Sequence, residues 1–340
     1  MLSTYTAQSP MPPLYWPKCA IVADRGIPDS ESSGPPSDNG PAYSPTDACD
    51  VMTPYVPDPQ STLPLRPYLK ELILESSDGN RQVFRAELRE VDLSSGTLTP
   101  RKRDVVCKVA YGQRRIHDLQ HEADCYNTKL LGLQGTVVPK MFGCFQGYTG
   151  DGHTAVLILE YCGVRLTYDL RLYSPSFRVQ VIQALLAVHK AGLKHHSFCE
   201  RNILISKGAN GDPRVVLVNF ELSSEHTCKA LQQIDIDNIV PYQRMPQWFD
   251  CSEINVAFQE RAVIWFDGTI DVLSRLVPAE HTGSVEAVLE YTGVPSNMTI
   301  EEARSAIQTA LDEKAQRLAE ELAIDANSVH IQWGADEEDE

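Results

Sequence analysis

The sequence has no apolar run near the roughly 18–20 residues that a membrane-spanning helix needs. It is also short of positive charge, because 30 Lys and Arg stand against 46 Asp and Glu, a formal net charge of −16. Such a chain repels phosphate backbones and anionic lipids on average, so we expect neither nucleic acid nor a membrane as its partner. The start, MLSTYTAQSPMPPLYW, lacks a basic region followed by an apolar stretch. We therefore expect no secretory signal and an intracellular location, cytoplasmic or nuclear.

Paired cysteine spacings are missing as well. The nine cysteines are odd in number, widely scattered and without a CxxC pair, which argues against a disulfide framework. The main interpretation is that they are small buried side chains in a reduced compartment. An alternative is that His226-x-Cys228, with Cys251 further on, forms part of a metal site, although the sequence offers no fourth ligand and no paired spacing.

What the sequence does have is enough apolar material for a large core. Hydrophobic residues make up 42% of 340 residues, which suits one large domain or two lobes. Residues 1–66 differ from the rest, since they hold 13 of the 22 prolines and few aliphatic residues. Because proline removes backbone donors and little apolar surface offsets the ordering entropy, this composition predicts a disordered Pro- and Ser-rich N-terminal arm.

The pattern changes near Tyr68 to strands with one helix among them. Alternating or strongly apolar runs predict strands, and a helical spacing of apolar residues predicts the helix. The predicted strands are Leu69–Glu75, Gln82–Leu88, Asp104–Ala110 and Ala155–Tyr161, and the turn SSDGN (residues 76–80) is predicted between the first two. The predicted helix is Asp118–Leu131.

The second half is predicted to be mainly helical. Residues 176–191 have helical spacing and end before Gly192, which favours a helix stop there. Thr299 and Glu302 form a capping box ahead of a long amphipathic stripe. Residues 324–340 are predicted to be an acidic tail, because the chain ends in five consecutive acidic residues.

Several weak motifs follow one another in an informative order. Lys108 ends a predicted strand and Glu122 lies on the next helix. An apolar strand then leads to Glu160-Tyr161-Cys162-Gly163. Two further motifs are residues 195–204 (HHSFCERNIL), which follow the predicted helix, and residues 215–221 (VVLVNFE).

In this order the motifs resemble those of protein kinases, over roughly residues 68–275. Residues 195–204 align without gaps on the catalytic loop H-R-D-L-x-x-x-N, and residues 219–221 stand in the place of D-F-G. The chain looks most like the small stand-alone kinase-like proteins of mushroom-forming fungi. Three segments carry that closer likeness: residues 133–145 (LQGTVVPKMFGCF), Glu225-His226-x-Cys228, and residues 249–253 (FDCSE).

The resemblance implies an α+β fold of the bilobal kinase type. It implies a kinase-like domain over residues 67–323, with an antiparallel β-rich N-lobe at 67–160 and a helical C-lobe at 164–323. It also implies that residues 160–163 form the hinge between the two lobes, and that nucleotide, where bound, meets residues on both sides of this hinge. The implied nucleotide-binding residues are Lys108, Glu122, Glu160, Cys162, Asn202 and Asn219, of which Asn202 and Asn219 are the Mg²⁺ candidates.

The departures from the kinase pattern bear on function more than the matches do. Ser197 replaces the aspartate that accepts the substrate proton, and Asn219 replaces the aspartate that binds magnesium. The glycine-rich loop is poor, because Ser76, Asp78 and Arg81 stand where three glycines belong. Backbone amides approach phosphates closely only when side chains are absent, and a carboxylate there repels a triphosphate.

Three functional hypotheses follow from these departures. The first is a catalytically inactive kinase-like protein, a pseudokinase, that works as a scaffold or regulator through protein contacts and binds ATP and Mg²⁺ weakly or not at all. The second is a divergent ATP-dependent Ser/Thr protein kinase or small-molecule phosphotransferase that uses Glu200 or Glu221. The third is a sensor that binds nucleotide without turning it over. The sequence names no protein partner.

Overall fold

The structure of this chain is a computed structural model, in which the described part is mixed α+β. It has one large antiparallel sheet and several helices. The chain divides into two compact units, the first made of residues 1–162 with 219–223 and the second of residues 163–218 with 224–340. The described residues are 13–17, 49–56, 63–92, 94–95, 97–208, 213–239, 243–244, 250–266, 269–278 and 281–326.

The first unit is built on a closed barrel of seven strands in the order β1-β2-β6-β7-β5-β4-β3. All neighbouring strands pair antiparallel except β1 and β3, which close the barrel through a parallel bridge between Leu14 and Leu65. The strands are β1 Leu14–Pro17, β2 Cys49–Val56, β3 Leu65–Glu75, β4 Arg81–Asp92, β5 Thr97–Tyr111, β6 Met141–Thr149 and β7 Gly152–Glu160.

Alternation along the strands fills the barrel. In β4 every second side chain is buried, from Gln82 through Phe84, Ala86 and Leu88. Successive side chains point to opposite faces of a strand, so this alternation places one face in the core. The core residues are Leu14, Trp16, Met52, Leu65, Phe84, Ala86, Leu88, Val105, Cys107, Val109, Phe145, Val156 and Ile158.

The predicted disordered arm over residues 1–66 is wrong for three stretches, namely β1, β2 and the first two residues of β3. β1 and β2 both fall inside it and supply the buried side chains Leu14, Trp16 and Met52. Proline content concealed them, since the prolines flank β1 and a single proline sits in β2 at a register shift. The rest of the predicted arm before residue 63 lies outside the described residues.

The helix of the first unit, α1, covers Gln113–Asn127 rather than the predicted Asp118–Leu131. It starts directly after Gly112, whose φ of +76° suits glycine and sets the turn out of β5. It packs against β5, β6 and β7. The apolar side chains that it buries are Ile116, Leu119, Ala123, Cys125 and Tyr126.

The four strands predicted for the first unit are present with longer bounds, and the predicted turn between the first two contains Gly79 at φ +67°.

In its described residues the second unit combines four α-helices with short strands. The predicted helix is present as α2, Pro175–Lys190, and Gly192 ends it at φ +89° with its N–H donated to the His189 carbonyl. The other helices are α3 Ser252–Val256, α4 Val285–Thr292 and α5 Ile300–Ala326. The strands are β8 Val164–Arg165, β9 Leu193–Lys194, β10 Ile203–Lys207, β11 Pro213–Leu217, β12 Ser224–Glu225, β13 Gln243–Arg244, β14 Trp265–Phe266, β15 Ile270–Val272 and β16 Arg275–Val277.

The prediction of a helical C-lobe over 164–323 is therefore only partly right, because small sheets share the second unit with the helices. β8, β10 and β11 form one such sheet of three strands.

The capping box is confirmed: Thr299 Oγ1 accepts the Glu302 N–H at 3.2 Å, and Glu302 accepts the Thr299 N–H at 2.7 Å. α5 continues three residues into the predicted tail, and residues 327–340 lie outside the described part. None of the helices described is both long and apolar enough to cross a membrane.

We predict that Trp16→Ala lowers the free energy of unfolding by about 3–5 kcal/mol, because the buried indole fills the barrel next to β3. Urea denaturation followed by far-UV circular dichroism measures the loss. Tyr15→Ala is the matched control, since Tyr15 lies on the other face of β1 and is only partly buried. Equal effects of the two changes would contradict the burial of this strand in the core.

Candidate functional site

Lys108 and Glu122 form an ion pair within the first unit, in which the lysine is partly buried and the glutamate buried. The Lys108 Nζ lies 2.8 and 2.7 Å from the two carboxylate oxygens of Glu122. β5 positions the lysine, because Cys107 and Val109 point into the barrel core and Lys108 between them points to the opposite face. α1 packs over that face and presents Glu122, whose side chain is 1% exposed.

Residues 219–223 belong to the first unit and bind to the same carboxylate. The Phe220 N–H donates to Glu122 Oε1 at 3.2 Å, and the Lys108 ammonium donates to Asn219 Oδ1 at 3.4 Å. Phe220 is fully buried and meets the Tyr126 ring edge-on at a centroid distance of 5.6 Å. Asn219 has a φ of +75°, which asparagine tolerates better than most residues with a side chain.

The end of this short segment is also tied to α1. The His121 ring Nε2 donates to the Ser223 carbonyl at 2.8 Å, and Cys125 Sγ lies 3.2 Å from Ser223 Oγ. Residues 219–223 are thus held at both ends by one helix. This arrangement fixes Asn219 beside Lys108 rather than leaving it on a free loop.

Arg81 links three elements at the start of β4. Its guanidinium lies 2.8 Å from Asp118 on α1 and 2.7 Å from Glu221. Burial works against the charged form, but the hydrogen bonds and charges of Glu221 and Asp118 raise the pKa of Arg81 above its ordinary value. The Glu221 carboxylate is therefore engaged by a permanent cation.

The turn between β3 and β4 is held by side chains in addition to backbone hydrogen bonds, one of which joins the Gly79 N–H to the Ser76 carbonyl at 2.9 Å. Asp78 accepts hydrogen bonds from the Ser76 hydroxyl at 2.6 Å, the Asn80 N–H at 3.1 Å and the Arg115 guanidinium at 3.0 Å. The hydrogen bonds from Ser76 and then Arg115 hold the pKa of the Asp78 carboxyl well below its usual range. The carboxylate is ionised at neutral pH, so this turn carries a negative charge.

Glu160 and Cys162 lie at the end of β7, still in the first unit. Glu160 Oε2 accepts the Lys140 N–H at 3.0 Å, so its side chain supports the adjoining backbone. Cys162 is 1% exposed, and its thiol donates to the Glu160 carbonyl at 3.5 Å. Both side chains have partners inside the protein, so a ligand at this position would meet backbone N–H and C=O groups instead.

The second unit holds the other predicted site residues. His195 is fully buried; its Nδ1 accepts the Ser197 N–H at 3.2 Å, so its Nε2 carries the proton donated to the Val218 carbonyl at 3.1 Å. Asn202 is also buried and donates its amide to the Ser197 carbonyl at 2.7 Å. Ser197 is thus fixed through its backbone by two neighbours in the same loop.

Glu200, the other carboxylate considered as a substitute base, is also engaged. Its Oε1 accepts the Leu170 N–H at 3.4 Å, and its Oε2 lies 3.3 Å from the Arg261 guanidinium. Both oxygens of this carboxylate therefore already have partners within the second unit.

The structure therefore brings the predicted residues together in two groups. Lys108, Glu122 and Asn219 meet in the first unit, and Ser197 and Asn202 meet in the second. Sequence reasoning missed the role of Arg81 as the partner of Asp118 and Glu221. Its position directly after the turn was visible, but the partners are 37 and 140 residues away and had no sequence signal.

Comparisons with known proteins identify no family for this chain. No protein-family model matches it, and no curated protein matches it.

We predict that Lys108→Ala lowers the free energy of unfolding by about 1–3 kcal/mol, because it leaves the buried Glu122 carboxylate without its cation. Urea denaturation of both proteins gives the difference. Lys70→Ala is the matched control: Lys70 is half exposed and 3.7 Å from Glu87, so its loss should cost less than about 0.5 kcal/mol. Indistinguishable costs for the two lysines would rule out a stabilising Lys108–Glu122 pair.

Proposed function

We propose that this chain is a bilobal, kinase-like intracellular protein without catalytic activity, a pseudokinase that acts as a scaffold or regulator of other proteins. The observation that carries the proposal is the group formed by Lys108, Glu122, Asn219 and Phe220. A strand lysine paired with a helix glutamate is the arrangement by which kinases hold ATP phosphates. Here that pair persists beside an asparagine where the magnesium-binding acid belongs.

The loss of a base at position 197 is the first reason to expect no catalysis. A serine hydroxyl does not accept a proton near neutral pH, and removal of a general base costs about 10²–10⁴-fold in rate. The Ser197 backbone is held by His195 and Asn202, so its loop is ordered around a residue that lacks the needed group.

The second reason is the weakness of the magnesium ligands. Mg²⁺ prefers anionic oxygens in octahedral geometry, and an amide oxygen adds no negative charge. Asn219 Oδ1 already accepts a hydrogen bond from the Lys108 ammonium, and the Asn202 amide donates to its own loop. We therefore propose that Mg·ATP binds weakly or not at all.

The third reason is the charge of the β3–β4 turn. Phosphoryl transfer depends on positioning and on neutralising the phosphate charge. The ionised Asp78 carboxylate repels a triphosphate, and the Arg81 guanidinium is shared between Asp118 and Glu221. This turn therefore lacks the close amide contacts that a glycine-rich loop supplies.

The divergent-phosphotransferase alternative has less support than the pseudokinase proposal. It requires Glu200 or Glu221 as a base, and each carboxylate has an arginine partner, Arg261 and Arg81 respectively. Either carboxylate would have to leave its arginine partner before it could contact a substrate hydroxyl. The sensor alternative needs Mg·ATP binding without turnover, which a binding measurement separates from the scaffold role.

We predict no phosphate transfer above background by the purified full chain. The measurement uses labelled Mg·ATP with a broad set of protein and small-molecule acceptors, and it compares the wild type with Lys108→Ala. Both should give the same background signal. Incorporation that depends on Lys108, and that Glu200→Gln or Glu221→Gln abolishes, would replace this proposal with the phosphotransferase alternative.

A thermal-shift measurement tests the nucleotide part of the proposal. We predict little or no rise in Tm on adding Mg·ATP to the wild type, because Asn219 stands where kinases have the carboxylate that binds Mg²⁺. The double variant Ser197→Asp/Asn219→Asp restores both acids and should gain a clearly larger Mg·ATP shift, while its turnover stays low because of the β3–β4 turn. A large Mg·ATP shift in the wild type without turnover would favour the sensor alternative instead.

A further inference from the structure

Four metal-ligating side chains meet inside the second unit: His189, His226, Cys228 and Cys251. One ligand atom from each lies within 4.8 Å of the others. Cys228, Cys251 and His189 are buried, and His226 is partly buried. The sequence pointed to three of these residues and lacked a fourth ligand, which the structure supplies as His189 on α2.

Separate chain segments bring the four residues together. His189 lies in the last turn of α2, whereas His226 and Cys228 follow β12. Cys251 immediately precedes α3. β12 pairs with β9, the strand directly after α2, and this pairing carries residues 226–228 back to the end of that helix. A group that binds all four side chains would join three segments of the second unit.

The spacing of the ligand atoms suits a tetrahedral ion. A zinc ion with Zn–S near 2.3 Å and Zn–N near 2.0–2.1 Å places its ligand atoms about 3.3–3.8 Å apart. Cys251 Sγ and His189 Nδ1 are 3.8 Å apart, and the remaining pairs are within 4.8 Å. Small side-chain adjustments therefore suffice to close the group around one ion.

Glu253 orients His189 toward the other ligands. Its Oε2 accepts a hydrogen bond from His189 Nε2 at 2.7 Å and from the His195 N–H at 2.9 Å, while its Oε1 accepts the His196 N–H at 2.6 Å. With Nε2 bonded to this carboxylate, His189 Nδ1 faces Cys251. Metal-binding histidines commonly donate their second N–H to a carboxylate, which fixes the ring and raises its basicity.

His226 provides an independent sign that a ligand belongs here. Its Nε2 is buried and has no hydrogen-bond partner among the described residues. Its ring meets that of His189 edge-on, at a centroid distance of 5.3 Å. Buried polar atoms nearly always have a partner, because an unsatisfied one costs free energy, and a metal ion would satisfy this nitrogen.

The cysteines also have suitable chemistry. Cys228 and Cys251 are both buried, and Cys251 Sγ lies 3.8 Å from His189 Nδ1. The thiolate is the form of cysteine that binds metal, and a divalent cation balances the charge of two thiolates in a buried place. A divalent ion would supply the charge that both thiolates need.

We propose that His189, His226, Cys228 and Cys251 bind one Zn²⁺ as a structural site. Thiolate and imidazole donors favour zinc over Mg²⁺ or Ca²⁺, and two thiolates balance its charge in a buried place. Four protein ligands leave no open position, so the ion holds chain segments together and does not activate water. The inference does not depend on the pseudokinase proposal.

The test uses the full chain, purified under reducing conditions and stripped of metal with a chelator. Titration with Co²⁺ should give intense visible bands that saturate at one equivalent, because tetrahedral thiolate ligation produces them. One equivalent of Zn²⁺ should then displace the Co²⁺ and remove the bands. Zinc should also raise the Tm of the stripped protein, since an ion that binds only the folded state stabilises it.

Variants separate the ligands from the supporting residue. Cys228→Ser and Cys251→Ser should each weaken Zn²⁺ binding by at least about 100-fold, and Glu253→Gln, which acts through His189, by about 10–100-fold. Cys125→Ser is the matched control, because Cys125 is a buried cysteine of the first unit that lies beside a serine hydroxyl. It should bind metal like the wild type.

X-ray absorption on the zinc-loaded wild type keeps the test decisive even where a cysteine variant does not fold. It should show two sulfur neighbours near 2.3 Å and two nitrogen neighbours near 2.0–2.1 Å. Three outcomes would overturn the proposal: no stoichiometric uptake of Co²⁺ or Zn²⁺ by the reduced chain, wild-type affinity in folded Cys228→Ser and Cys251→Ser, or a Cys228–Cys251 disulfide in protein purified without oxidant.

Discussion

The first unit depends on neutralising the buried carboxylate of Glu122. A buried charge costs several kcal/mol unless it is paired and hydrogen-bonded, so three separate elements have to meet around this one side chain. α1 supplies Glu122, β5 supplies Lys108, and the segment 219–223 supplies the Phe220 N–H. Packing of α1 on the barrel, the outward face of β5 and the placement of Asn219 together meet that requirement.

Much of the local structure could be predicted because its signals are local. The turn at Gly79, the end of α2 at Gly192 and the capping box at Thr299 each depend on residues within a few positions of one another. β1 was missed because only three residues separate Pro13 from Pro17, too few to show an alternation, and the strand segments with which it pairs lie far along the chain. The start of α1 was misplaced because its first turn, QRR, is polar and has no apolar period.

The residues of the candidate site differ in the same way, because some contacts had a signal in the sequence and others depend on distant residues. Lys108 and Glu122 were paired through the resemblance to protein kinases, in which a strand lysine meets a glutamate of the following helix. Partners joined only by the fold had no such signal. Arg81 finds Glu221 across 140 positions, and His189 looked like one more member of the apolar face of α2, although its ring meets Cys251 62 positions away.

The way in which β1 and β2 complete the barrel has a consequence for the order of folding. β3, β4 and β5 are joined by short connections and form local pairs, whereas β2 pairs with β6, where Thr53 and Gln146 are separated by 93 positions. Non-local pairing requires a large loop to close before its contacts contribute, and this slows folding. We therefore expect barrel closure to be a late step of folding, before which the strands that flank the gap expose unpaired edges to other chains.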